Sequence, residues 1–149
     1  MTGKASFTAE EWKLVAEGPP SAGIIVVTAQ RGGTFRETFA MAKVYAEARK
    51  QHGESELLDE IVAAKPVWDH TRYHSPEELK QAGLQHLRDA VALLEQKATS
   101  QEVEEYKAFV LTLAERVANA HREGGEAVSD AERQAIRQIA DSIGSPAPA

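Results

Sequence analysis

The sequence predicts an all-α fold: a single-domain helical bundle of about seven helices with an antiparallel hairpin at its centre. Three observations predict it. Apolar residues recur at three- and four-residue spacing through most of the chain, the period that lines one face of a helix. Thr8 with Glu11, Thr34 with Glu37, Ser75 with Glu78 and Ser129 with Glu132 read as capping boxes, in which hydroxyl and carboxylate satisfy N–H groups that a first turn leaves free. The β-branched run Ile24–Thr28 has no second strand-like run to pair with, and a lone strand leaves its backbone groups unpaired.

A chain of 149 residues can bury a core without cross-links. With 42% hydrophobic and 27% charged residues it has the make-up of a folded chain, so residues 1–149 are read as one domain whose ends, 1–6 and 145–149, fray. Cysteine is absent, which excludes disulfides, thiolate nucleophiles and cysteine-ligated metals together. The net charge is −6 and the Lys and Arg residues are scattered among the acids, so no basic stripe points to nucleic acid. Uninterrupted apolar stretches are too short to span a bilayer, and Met1–Phe7 holds no apolar leader core. A cytoplasmic protein with no membrane contact is the expectation.

The elements follow in order. From Thr8 a short helix covers about Ala9–Glu17 and ends at Gly18. Pro19 and Pro20 suit the first turn of a second helix through the apolar run to Gln30, with a strand at Ile24–Thr28 as the alternative. Arg31-Gly32-Gly33 turns the chain into a helix reaching about Gln51, with Phe35, Phe39, Ala42, Tyr45 and Ala46 on its buried face. A shorter helix, about Glu54–Ala64, carries Leu57, Leu58, Ile61 and Val62 before Pro66 stops it. Two long helices joined at Thr99-Ser100 form the hairpin. The first runs from Pro76 to about Ala98 and buries Leu79, Gly83, Leu87, Ala90, Val91 and Leu94. The second, capped by Ser100, runs to about Arg122 and buries Val103, Tyr106, Val110, Leu113, Val117 and Ala120. After Gly124-Gly125 a last helix presents Ala135, Ile136, Ile139, Ala140 and Ile143.

The stretch Ala98–Val117, read with Glu123-Gly124-Gly125, Val128-Ser129-Asp130-Ala131-Glu132-Arg133 and the opening Phe7-Thr8-Ala9-Glu10-Glu11-Trp12, resembles uncharacterised bacterial helical proteins. The C-terminal part also resembles the closing segment of tellurite-resistance B-like domains, which pair an Asp-Gly turn with a Ser/Thr-x-x-Glu helix start. That resemblance implies a link to metal and stress responses. Here the turn reads Gly124-Gly125-Glu126-Ala127-Val128-Ser129, with Gly where the family has Asp and one more residue before the cap.

Candidate chemistry concentrates in residues 65–75, the longest connection, where Trp68, Asp69, His70, Arg72, Tyr73 and His74 fall together. Asp69, His70 and His74 are the candidate ligands of a divalent metal, because imidazoles four apart share a face if the segment is helical. Trp68, Arg72 and Tyr73 are the candidate ligand-binding residues; the alternative is a polar connection packing its two aromatics onto the bundle. Glu77 or Glu78 is the nearest further ligand. His52 and His121 suit helix ends, where imidazole meets free carbonyls. Arg31-Gly32-Gly33-Thr34 lacks the Lys and spacing of a phosphate loop.

No catalytic residue is assigned, since no nucleophile elbow or paired carboxylate motif occurs. The expected function is a non-enzymatic interaction or assembly module, with a protein partner or a homodimer through an apolar helix face and no cofactor. The alternative is a stress-response protein binding a small ligand or divalent metal.

Overall fold

The computed structural model describes residues 4–29, 34–50, 56–63, 76–123 and 130–144. Among them a short 3-10 turn, Lys4–Ser6, precedes six helices and no strand occurs. The helices are α1 (Ala9–Ala29), α2 (Thr34–Lys50), α3 (Glu56–Ala63), α4 (Pro76–Lys97), α5 (Ser100–Glu123) and α6 (Asp130–Ile143). The all-α class therefore holds, and Ile24–Thr28 is helical. Among the described residues the helices number six because α1 runs unbroken through Gly18-Pro19-Pro20, where the sequence reads as one helix stopping and another starting.

Proline has no N–H, so Pro19 and Pro20 leave the carbonyls of Val15 and Ala16 without their usual donors. A helix survives this when neighbours supply replacements. The Tyr106 hydroxyl on α5 donates to the Val15 carbonyl at 2.7 Å. One residue earlier, His86 Nε2 on α4 lies 2.9 Å from the Leu14 carbonyl. Gly18 makes the approach possible, since a Cβ there would stand 2.0 Å from the Tyr106 oxygen. A local stop signal is thus kept helical with a replacement donor distant in sequence, Tyr106; His86 adds a contact to the Leu14 carbonyl, whose ordinary helical donor is the Gly18 N–H.

The same helix displaces the hairpin from the centre. α1 packs on α4, α5, α6 and α2, and its contact with α4 and with α5 is more extensive than theirs with each other. The reason is its middle: Gly18, Pro19, Pro20, Ala22, Gly23, Ile24, Ile25 and Val26 are all buried, and a helix apolar all round must be surrounded. Gly83 lets α4 close in, because a Cβ there would meet Ile25 Cδ1 at 2.8 Å.

Caps set the helix starts. Thr8 N–H donates to Glu11 Oε1 at 2.9 Å and Glu11 N–H to Thr8 Oγ1 at 3.1 Å, while the Phe7 and Trp12 rings, 5.8 Å apart, staple the entry. Lys97, ending α4, donates to Glu11 Oε1 at 2.7 Å and to the Ser6 carbonyl at 3.3 Å. The Lys97 ammonium, with the Thr8 N–H behind it, holds the Glu11 carboxyl below the usual carboxylate range. α5 is capped by Thr99 rather than Ser100: Thr99 N–H donates to Glu102 Oε1 at 3.0 Å and Glu102 N–H to Thr99 Oγ1 at 3.1 Å. The box needs its Glu three residues on, and only Thr99 satisfies that spacing. The side chains of Thr34 and Glu37, and residues Ser75 and Ser129, lie outside the described residues. At the end of α6, Gly144 adopts φ 72°, the left-handed conformation that favours glycine after a helix.

The predicted core faces of α4 and α6 are buried throughout. On α2 Tyr45 is buried as predicted and Ala46 half-buried, but Ala42 is exposed and Val44 is buried in its place. The side chains of Phe35 and Phe39 lie outside the described residues. On α5, Phe109, Ala114 and Ala118 join the predicted stripe, because this helix packs against α1, α2 and α6 at once.

Candidate interhelical groove

Residues 65–75, with Trp68, Asp69, His70, Arg72, Tyr73 and His74, lie outside the described residues, as do residues 31–33, His52 and the His121 side chain. Glu77 and Glu78 are exposed at the start of α4; Glu77 accepts from Gln81 at 3.2 Å and pairs with Lys80 at 3.7 Å. Among the described residues no group of three or more His, Asp or Glu is placed to hold a metal ion. His86 is used by the backbone of α1, as described above.

The described residues form an open groove of about 640 Å³ between α2, α3 and α5. α2 supplies Val44, Glu47 and Ala48, and α3 supplies Leu58. α5 supplies Gln101, Glu105, Ala108, Phe109, Thr112 and Arg116, a spacing that places them on one helical face. Across the groove Arg116 Nη2 donates to Glu47 Oε2 at 2.9 Å, with both side chains about half exposed at 50% and 44%. So exposed a pair holds α2 and α5 only weakly, by about 1 kcal/mol or less. A second tie closes the far side: Arg49 Nε donates to the Val62 carbonyl at 2.6 Å, in the last turn of α3 where carbonyls lack helical partners.

Beneath the groove the Tyr45 ring meets Phe109 edge-on, with centroids 5.5 Å apart and an angle of 67°. The buried Tyr45 hydroxyl has no hydrogen-bond partner among the described residues. Burial pushes this phenol well above its ordinary value, with the Arg49 charge pulling the other way. Tyr106 is raised as well, first by burial and then by Tyr45. Both phenols stay protonated at neutral pH and neither supplies a base.

What the arrangement offers is a recess with an apolar floor and a charged rim, chemistry suited to holding another surface. Sequence reasoning missed it. The available signal was the row of polar and small residues at 101, 105, 108, 112 and 116, beside the core stripe of the same helix.

Fold and site together define an all-helical protein with an open interhelical groove. No protein-family model, curated protein or solved structure matches the chain. Among the described residues no helix is long and apolar enough to cross a membrane.

Proposed function

We propose that the protein is a non-enzymatic interaction module of the cytoplasm that associates with a second copy of itself through the α2–α3–α5 groove. The groove carries this reading: Val44, Ala48, Leu58 and Phe109 line an apolar floor, and Glu47, Glu105 and Arg116 stand beside it. Interfaces are organised in this way, with an apolar centre to exclude water and a polar rim to set the register. A two-fold pairing of one such face closes on itself and gives a dimer. Sedimentation velocity from micromolar to near-millimolar protein tests it. A monomer–dimer equilibrium is the expected result, and a single monomeric species at every concentration overturns it.

A second reading rests on the concentration of Asp69, His70 and His74 beside Trp68, Arg72 and Tyr73 in the sequence. In it the protein binds a divalent metal or small ligand in a stress response, in keeping with the tellurite-resistance B-like ending. Calorimetric titration with zinc and with nickel is expected to show binding by the parent that is lost in His70→Ala and in His74→Ala. An inert parent, or heats unchanged in both variants, removes this reading.

A further inference from the structure

We infer that the second copy enters the groove with its own α5, antiparallel to the first about a two-fold axis between residues 110 and 111, so that Glu105 of each copy pairs with the partner's Arg116. The inference rests on the self-association proposed above and adds its register. Glu105 and Arg116 stand on the same face of α5, eleven residues apart, which is three turns and ~16 Å along the helix. About that axis each residue faces the one equally far on the other side: 105 opposite 116, and 109 opposite 112. The charges of the face are therefore complementary to themselves when one copy is reversed.

The state of the two groups supports this. Glu105, half-buried in the groove wall, has no hydrogen bond or ion pair among the described residues. Arg116 is half exposed and meets Glu47 through Nη2; a guanidinium has five N–H donors, so it can bridge Glu47 and a second carboxylate. Near the axis, Ala108 and Thr112 are exposed and small, which permits close approach of two helices. The outer face of α4 behaves otherwise, since its polar groups bond within the helix, Gln85 to Asp89 at 2.9 Å and Gln81 to Glu77 at 3.2 Å.

Two single variants test the register by sedimentation, after circular dichroism confirms that each is folded. Glu105→Arg and Arg116→Glu should each weaken self-association roughly tenfold, because each removes two symmetry-related pairs and sets like charges opposite. Mixed together, they should form a heterodimer tighter than either homodimer, since every cross-pair then joins opposite charges. A covalent readout is also open because the chain has no cysteine. Thr112→Cys copies would sit ~4.5 Å apart along the axis and should link under mild oxidation, whereas Gln85→Cys on α4 should not. A parent that dimerises while both charge variants dimerise equally well, or in which Gln85→Cys links as readily as Thr112→Cys, overturns the register alone. A monomeric parent overturns the self-association reading and the register with it.

Discussion

Gly18→Ala is expected to destabilise the fold by about 3 kcal/mol, where the same change inside an exposed helix would stabilise it by about 1 kcal/mol. The new Cβ would lie 2.0 Å from the Tyr106 oxygen and 3.2 Å from Cζ. Tyr106 is fully buried, so its ring has no solvent into which it can swing. Overpacking of this kind costs about 1–3 kcal/mol. Moving the hydroxyl also strips the Val15 carbonyl of the donor that replaces the missing N–H of Pro19, a further loss of about 1–3 kcal/mol. Denaturation followed by far-UV circular dichroism should show the melting point down by about 10 °C. The cause is tested in a Tyr106→Phe background, where the oxygen is gone and the remaining contact is at Cζ. There Gly18→Ala should cost less than half as much, a coupling that a double-mutant cycle reads directly. A stabilised Gly18→Ala, or equal costs in the two backgrounds, would show that the hydroxyl does not occupy the space above Gly18.

Removing a hydroxyl from each of the two buried tyrosines should move stability in opposite directions. Tyr106→Phe leaves the Val15 carbonyl buried without a donor and should cost about 2 kcal/mol. Tyr45→Phe deletes a buried hydroxyl that has no partner among the described residues and keeps the ring against Phe109, so it should stabilise by about 1 kcal/mol. Urea midpoints at one protein concentration would separate the variants by an amount well outside extrapolation error. Shifts of the same sign would mean that the hydroxyl environments are not those described.

Local signals in the sequence were read well because their chemistry is local. The Thr8–Glu11 box, the core face of α4 and that of α6 each depend on spacing within a few turns. The continuity of α1 depends on Tyr106, 91 residues from the Val15 carbonyl it serves. No window over Gly18-Pro19-Pro20 contains that information, and the hairpin lost its central place for the same reason. On α2 the prediction missed at Ala42, because alanine is small enough to suit either a core or a surface. Of the groove only the α5 wall left a trace in the sequence: Glu47 and Arg116, which face each other across it, are 69 residues apart. The candidates at 65–75, the most distinctive cluster in the sequence, lie outside the described residues.

The dependence of α1 on later parts of the chain bears on the order in which the protein becomes secure during synthesis. α1 is made early, yet the donor for its proline-freed turn belongs to α5 and much of its cover to α4 and α5. Translation adds roughly 90 residues between the end of α1 and the end of α5, which at ordinary ribosomal speeds takes roughly 5 to 20 s. Until α4 and α5 are made, the apolar middle of α1 lacks most of its cover and the Val15 carbonyl lacks the Tyr106 donor. Closing a loop of this length before the rewarding contacts form makes the protein slower to fold than its helical content suggests. It also leaves residues 18–26, nearly all of them buried in the finished fold, without most of their cover in the meantime.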